Sequence, residues 1–358
     1  MQIGVPREIK KDEYRVAVTP AGAHELAQHG HDVVVETGAG VGSSFADDEY
    51  VRAGARIVDA AAAWSAELVC KVKEPQPAEF DYLDDCGALF TYLHLAAYPT
   101  VAEALCAHGT TSIAYETVQA DDGELPLLAP MSEVAGRMAT QVGAHHLEKA
   151  HGGRGILLGG VPGVRPANVV VIGGGNVGTE AARVAVGMGA HVTIFDISPR
   201  RLRELDLYFG HEAIVLMSTR YDVAAALGEA DLVIGAVLIP GGRAPSVVRR
   251  EHLADMHDGS VLVDVAIDQG GCFETSRETS HSDPTYVIDG VVHYAVGNIP
   301  GAVPRTSTTA LSNSTFPYLL RMADRGIDGA MELHPELARG LNTRGGEVVH
   351  AGVAAALS

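Results

Sequence analysis

Four polar side chains, Arg15, Lys73, His94 and Asp268, each follow closely on a β-rich run, and together they offer a guanidinium, an ammonium, an imidazole and a carboxylate. In doubly wound sheets, ligands bind beyond the carboxyl ends of the strands, so polar residues at those positions are the first candidates for chemistry. A guanidinium grips a carboxylate through two parallel hydrogen bonds. An ammonium places a second positive charge near a reacting oxygen or nitrogen. An imidazole carries protons near neutral pH, and a carboxylate orients water or stabilises a developing cation. Each residue also has a plainer reading: Arg15 and Lys73 as surface charges, His94 as a hydrogen-bonded core residue, Asp268 as a turn former.

A redox partner for such a set is suggested by NVVVIGGGNVGTEAARVAVGMGAHVTIFD, in which Gly173, Gly175 and Gly178 take G-x-G-x-x-G spacing between a β-branched run and a small-residue helix. Gly173 allows the tight turn, Gly175 lets the backbone approach a pyrophosphate, and Gly178 lets the helix pack close to the sheet. The helix N-terminus offers N–H groups and partial positive charge to phosphates. Asp196 closes the next strand, where a carboxylate accepts hydrogen bonds from the adenosine ribose and repels a 2′-phosphate, favouring NAD over NADP. Arg200 and Arg201 work against this if they hold a 2′-phosphate; the other reading is a solvated helix start with one of them reaching the cofactor. A glycine loop that only turns a corner is the plain alternative. With NAD in place, the four side chains suit hydride transfer from an amino acid, after which an imine takes up water and collapses.

Alternating β-rich and helical runs must position these groups. Ile3–Val5, Val33–Glu36, Leu68–Val72 and Leu89–Tyr92 read as strands of one series, with a helix at Ala21–His29. Val169–Ile172, Val192–Phe195, Leu232–Ala236, Val261–Val265 and His293–Val296 form a second series, apolar enough to be buried on both faces. The expected class is α/β, with two Rossmann-like doubly wound parallel-sheet domains separated by a cleft. Joints fall near Leu127–Ser132, before a helix over Glu133–Ala150, and near Pro300–Thr309, before a helix over Ser314–Gly326. Residues 1–128 and 305–358 then form a discontinuous substrate domain, and residues 129–304 form the NAD-binding domain. The glycine-rich stretch His151–Val164 reads as a loop or ribbon feeding the second.

The 358 residues, 47% hydrophobic, suffice for two cores. A formal charge of −19 repels phosphate backbones and anionic lipids, so neither nucleic acid nor membrane is an expected partner. No apolar run reaches the length of a membrane span, and MQIGVPREIKKDEYR is unlike a signal peptide, which points to the cytoplasm. Cys70, Cys86, Cys106 and Cys272 form no C-x-x-C pair and read as reduced packing residues. No metal is expected: there is no H-E-x-x-H, and the adjacent His145 and His146 point to different sides of any helix.

Longer motifs carry a resemblance. PREIKKDEYRVAVTPAG, KVKEP, FTYLHLAA, TTSIAYETV, PLLAPMSEVAGRMA, GGRGILLGGVPGV, ADLVIGAVLIPG and VDVAIDQGGCFE resemble the alanine dehydrogenase family over nearly the whole chain. That resemblance implies reversible oxidative deamination of L-alanine to pyruvate and ammonium with reduction of NAD, in a homohexamer. It implies that Arg15 and Lys73 bind the substrate and that His94 and Asp268 are the catalytic pair. Ser132, Gly174, Gly175, Asn176, Val177, Asp196, Arg201, Ser218, Val237, Leu238, Ile267, Asn298, Ile299 and Pro300 would line the NAD site. Asn176 and Glu180 in the loop, the stretch Phe209–Asp222 and Ile299, where a methionine is frequent, depart from the family pattern. The rival readings are the NAD-binding subunit of a proton-translocating transhydrogenase, and an enzyme of the same chemistry acting on glyoxylate or a larger amino acid.

Overall fold

Short β-branched runs become the strands of two mostly parallel sheets, seen in a computed structural model that describes residues 1–237 and 245–357. The chain divides into two compact units, the first formed by Met1–Met131 with Val303–Ser358 and the second by Ser132–Ala302. In chain order the first unit carries β1 (Gln2–Val5), β2 (Asp32–Glu36), β3 (Arg56–Val58), β4 (Leu68–Cys70), β5 (Ala88–Thr91) and β6 (Thr111–Ala114). The second carries β7 (Asn168–Ile172), β8 (His191–Asp196), β9 (Ala213–Met217), β10 (Leu232–Gly235), β11 (Val261–Asp264), β12 (Thr285–Ile288) and β13 (Val291–Tyr294). The chain then returns to the first unit with β14 (Leu341–Arg344) and β15 (Glu347–Val348).

The two sheets repeat one strand order. The first runs β15-β14-β6-β5-β4-β1-β2-β3 and the second β12-β13-β11-β10-β7-β8-β9. In each, the opening strand lies between its successor and the fourth strand: Ile3 is in register with Val33 on one side and Leu68 on the other, and Val170 with Thr193 and Val233. The direction of winding reverses there, and crevices for ligands form at the carboxyl ends of strands at such reversals. The loops after β1 and β4 carry Arg15 and Lys73. The loops after β7 and β10 carry Gly173 to Gly178, then Val237. The α/β class with two Rossmann-like parallel sheets is as the sequence predicts. The antiparallel edges β14, β15 and β12 are additions, paired to β6, β14 and β13.

Local chemistry sets the helices. Thr19 accepts the Gly22 N–H at 3.2 Å, with Pro20 in the first turn of Pro20–Gln28, a cap that satisfies one orphan donor. The helix Ala129–His146 begins four residues before the expected Glu133, because Pro130 falls in its first turn, where a missing N–H costs nothing. The stretch from Pro304 to Leu333 is longer than the expected Ser314–Gly326 and carries Pro317 inside it. Gly326, at φ 72°, breaks its helical geometry where the sequence placed an end. The stretch His151–Val164, expected as a loop or ribbon, leaves the tight turn Lys149–His151 and runs as a loop with one bridge between Val161 and Val164. Trp64, Val69, Leu89, Leu93 and Leu105 centre one core of the first unit; Ile172, Phe195, Val233, Leu262 and Phe273 centre one of the second. All four cysteines are unpaired, and Cys70, Cys86 and Cys272 are buried. Among the described residues no helix is long and apolar enough to cross a membrane.

Candidate active site

In the first unit the segment after β1 turns Arg15 inward until it is 2% exposed. Glu13 holds it. Nε donates to Glu13 Oε1 at 2.7 Å and Nη2 to Oε2 at 2.5 Å, while Nη1 donates to Met131 Sδ at 3.0 Å. The fork fixes the guanidinium plane and so the directions of its other donors. Burial works to raise the Glu13 carboxyl, but the charge and hydrogen bonds of Arg15, with the charge of Lys73, outweigh it and bring the group down to about 2. Arg15 and Lys73 are therefore electrostatic neighbours across one carboxylate. A recess of about 390 Å³ is lined by Glu8, Lys10, Glu13, Arg15 and Gly42 among others, but not by Lys73 or His94, so the cavity alone does not mark the chemistry.

The motif KVKEP after β4 separates two lysines by one residue, and the fold gives them opposite surroundings. Lys71 is fully buried, with Nζ 3.1 Å from Glu8 Oε2 and 2.9 Å from Glu79 Oε1. Lys73 is half-buried; its N–H and that of Val72 donate to Glu8 Oε1 at 3.3 and 2.6 Å. After β5, His94 sits at φ 48°, a left-handed conformation costly for a side chain of this size. Glu116 holds it there by accepting the N–H groups of His94 at 2.6 Å and Leu93 at 3.2 Å. The imidazole lies parallel to the Tyr92 ring, centroids 5.7 Å apart. Tyr92 is buried, donates to the Leu127 carbonyl at 2.5 Å and is close enough to Arg15 to influence its charge.

Glu13 leads to a pH prediction. Its folded carboxyl lies near 2 against an ordinary 4.5, so the ionised form is the one the fold favours. The stability it contributes is fully present above pH 4.5 and lost as pH falls towards 2. The difference amounts to about 3 kcal/mol. Urea unfolding followed from pH 5 to pH 2 should show this loss in the parent chain and a flatter profile in Glu13→Gln; an unchanged slope would exclude the assignment.

In the second unit the glycine loop follows β7. Gly173 has φ 98°, and a Cβ there would stand 2.5 Å from the Ala236 carbonyl oxygen. A Cβ on Gly178 would stand 1.8 Å from the Gly173 oxygen, whereas one on Gly175 would meet nothing within 4 Å. Two glycines are thus needed by the fold, and the middle one keeps its outer face open for close approach to the backbone. The helix Asn176–Gly187 starts there with no side chain capping Gly175. These features fit the pyrophosphate of a dinucleotide. Gly178→Ala should weaken NADH binding on the order of tenfold, from a strain of about 1–3 kcal/mol, as read by fluorescence titration; unchanged affinity would contradict the packing argument.

Asp196 serves the loop as well as standing where the ribose is expected. Its Oδ2 accepts the Gly174 N–H and its Oδ1 the Ser198 N–H, both at 2.8 Å. Arg201 turns onto the same loop, donating from Nε to the Gly174 carbonyl at 2.6 Å and from Nη2 to Thr179 Oγ1 at 2.7 Å. Arg200 is exposed and pairs with Glu204. Ser218 lies beside Asp196, its N–H donating to the Asp196 carbonyl at 2.9 Å. Ser132 is half-buried in the first helix of this unit, and Val237 packs on the core at the end of β10. Leu238 lies outside the described residues.

After β11, the motif VDVAIDQGG splits its two carboxylates. Asp264 is 1% exposed and accepts the N–H groups of Ala266, Cys272 and Phe273 and the hydroxyl of Ser276. Burial holds its carboxyl above the usual range against those bonds. Asp268 is exposed, one residue past the buried Ile267. It abuts Gly297, where a Cβ would stand 3.3 Å from Asp268 Oδ1. The next residue, Asn298, has φ 59°, and its carbonyl accepts the Gly301 N–H at 2.8 Å. Ile299 and Pro300 are buried.

Glu8, Glu13, Lys71, Glu116 and Asp264 are the residues sequence reasoning passed over. Glu13 was the most accessible of them, two positions before Arg15 in a segment already singled out. Asp264 and Asp268 share one motif, but only the fold shows which of them is buried.

Models of the alanine dehydrogenase/PNT N-terminal and C-terminal domains match residues 4–135 and 139–351. The chain belongs to the alanine dehydrogenase/PNT family. It is 57% identical to the alanine dehydrogenase of Geobacillus stearothermophilus over 359 aligned residues, which cover 99% of this chain and 96% of that one. A solved L-alanine dehydrogenase matches at 53% identity with a TM-score of 0.97, covering 100% of both chains. A transhydrogenase from Sinorhizobium meliloti matches at 27% identity with a TM-score of 0.83, covering 98% of this chain and 99% of that one. The family and its Rossmann-type domain imply a nicotinamide cofactor and small-molecule substrates.

Proposed function

We propose that this family member is an NAD-dependent L-alanine dehydrogenase, interconverting L-alanine with pyruvate and ammonium. The observation that carries the reading is the Arg15 guanidinium, fixed by Glu13 and joined electrostatically by Lys73 at the carboxyl ends of β1 and β4. It offers a small amino acid a rigid carboxylate anchor beside a second positive charge, a pairing that a protein binding only the nucleotide has no use for. The high full-length identity to alanine dehydrogenases supports the same choice.

In this mechanism Arg15 binds the substrate carboxylate and Lys73 lies towards the reacting nitrogen or oxygen. The cofactor, NAD, would be held by the glycine loop and would supply the hydride acceptor for the substrate α-carbon. His94 moves the protons: it takes one from the water that adds to the resulting imine, then gives one to the departing amine, so that ammonium and pyruvate leave. Asp268 orients that water and stabilises developing positive charge. Gly173 to Gly178 hold the pyrophosphate with the first turn of the helix that follows. Asp196 takes the adenosine ribose and disfavours NADP, with Arg201 engaged by the loop rather than offered to a 2′-phosphate. Ser132, Ser218, Val237, Leu238, Ile267 and the Asn298 to Pro300 segment complete the cofactor contacts. The chain assembles as a homohexamer, which light scattering tests.

Assays of the full chain decide the reading. L-alanine with NAD, and pyruvate with ammonium and NADH, should both turn over, with weaker activity on NADP. Absence of turnover in both directions, with NADH still bound, would overturn the enzyme reading in favour of a nucleotide-binding module.

A further inference from the structure

We propose that His145, Glu148 and His151 form a surface site for a divalent transition-metal ion of the zinc class. The adjacent His146 turns into the protein and is buried. The partner of His145 comes from beyond the helix. Ala129–His146 ends, and the tight turn Lys149–His151 folds the chain back so that the His151 ring lies over that of His145, with centroids 3.8 Å apart. Glu148 stands between them: Oε1 lies 3.6 Å from His145 Nδ1, and Oε2 lies 3.4 Å from His151 Nδ1.

One donor atom from each residue lies within 4.8 Å of the others. Zinc bonds of 2.0–2.1 Å in a tetrahedron space their donors roughly 3.3 Å apart, so the three side chains need only small rotations to close on an ion. All three are exposed, which leaves them free to rotate and leaves further positions to water. Two imidazoles and a carboxylate select zinc, cobalt, nickel or copper over magnesium and calcium, which prefer oxygen throughout. The end of an 18-residue helix adds partial negative charge.

The backbone beneath the cluster is already fixed. The Glu148 carbonyl accepts the N–H groups of His151 at 3.0 Å and Gly153 at 3.2 Å, Leu147 O accepts Gly155 N–H at 2.8 Å, and Gly259 O accepts Arg154 N–H at 3.0 Å. A Cβ on Gly153 would stand 2.2 Å from the His146 oxygen, so the turn depends on that glycine. An ion therefore gains its three ligands without ordering a loop. The site lies far from the cofactor-contact residue on the same helix: His145 is thirteen positions from Ser132, roughly 20 Å at 1.5 Å per residue.

Titrating the chelator-treated full chain with cobalt tests the proposal. One Co2+ per chain should bind with visible absorption bands, be displaced by Zn2+ and persist in excess Mg2+. His145→Gln and His151→Gln should each weaken binding at least about tenfold, since even outer-shell partners of a metal are worth 10–100-fold. Zn2+ should raise the thermal midpoint of the parent chain and leave that of the double variant unmoved. Circular dichroism confirms that the variants fold, and Glu148→Gln gives a third test that preserves side-chain shape. Cobalt binding of equal strength in the variants, or no stoichiometric binding in the parent chain, would show that the cluster is only a pair of exposed ion pairs.

Discussion

Alanine in place of His94 is expected to lower L-alanine turnover by about 10²–10⁴-fold, the usual worth of a positioned proton carrier, while NADH binding is retained. The expectation rests on how firmly the residue is held. Its backbone is kept left-handed by Glu116, and its ring is aligned with Tyr92. His94→Ala also relaxes that backbone, so a second replacement isolates the chemistry. His94→Asn tolerates the left-handed conformation well but carries no proton near neutral pH, and it should be equally impaired. Steady-state kcat for both variants is the measurement, beside NADH affinity from fluorescence. Wild-type turnover in either variant would remove His94 from the acid–base role even if the enzyme reading stood.

The other large effect is expected at Lys71, which touches no proposed ligand. Lys71→Met leaves Glu8 and Glu79 buried without their cation, and loss of one partner from a buried ion pair costs about 3–5 kcal/mol. Glu8 also accepts the main-chain N–H groups of Val72 and Lys73. Disturbing it therefore moves the lysine proposed to face the substrate, and activity should fall with stability. Chemical unfolding monitored in the first unit should show the loss. A triple variant that also carries Glu8→Gln and Glu79→Gln should regain part of it, because no charge is then stranded. A Lys71→Met chain as stable as its parent would mean that the three charges do not depend on one another.

These two sites show what the sequence reveals and where it stops. The strand series was legible because runs such as Val169–Ile172 and Leu232–Ala236 are apolar at every position, which only a sheet covered on both faces requires. The glycine loop was legible because Gly173 and Gly178 have backbone reasons that no other residue meets. The edges were not: Ala213–Met217 has a half-exposed, irregular pattern, and Leu341–Arg344 pairs antiparallel to a strand far away in sequence, so neither has the buried run that announces a central strand. Within the candidate site, the position after a strand drew attention to Arg15, Lys73, His94 and Asp268. The carboxylates that hold them went unseen, because pairing depends on which face of an irregular loop turns inward. KVKEP illustrates the limit: two lysines of like chemistry, one structural and one proposed for substrate, differ only in the direction they point.

The pairing of β14 with β6 also constrains the order of events during synthesis. Ser112 and Thr343 hydrogen-bond through their hydroxyls at 2.6 Å although 231 residues separate them. At ~5–20 residues per second a ribosome takes ~10–50 s to deliver the second after the first. All of residues 132–302 leave the ribosome in that interval, so the nucleotide-type sheet can be complete while β6 still presents a bare row of main-chain donors and acceptors. Such a row is a template for the wrong strand. A nascent chain arrested before residue 341 should therefore engage chaperones or aggregate, whereas one released after residue 348 has the means to close its own edge.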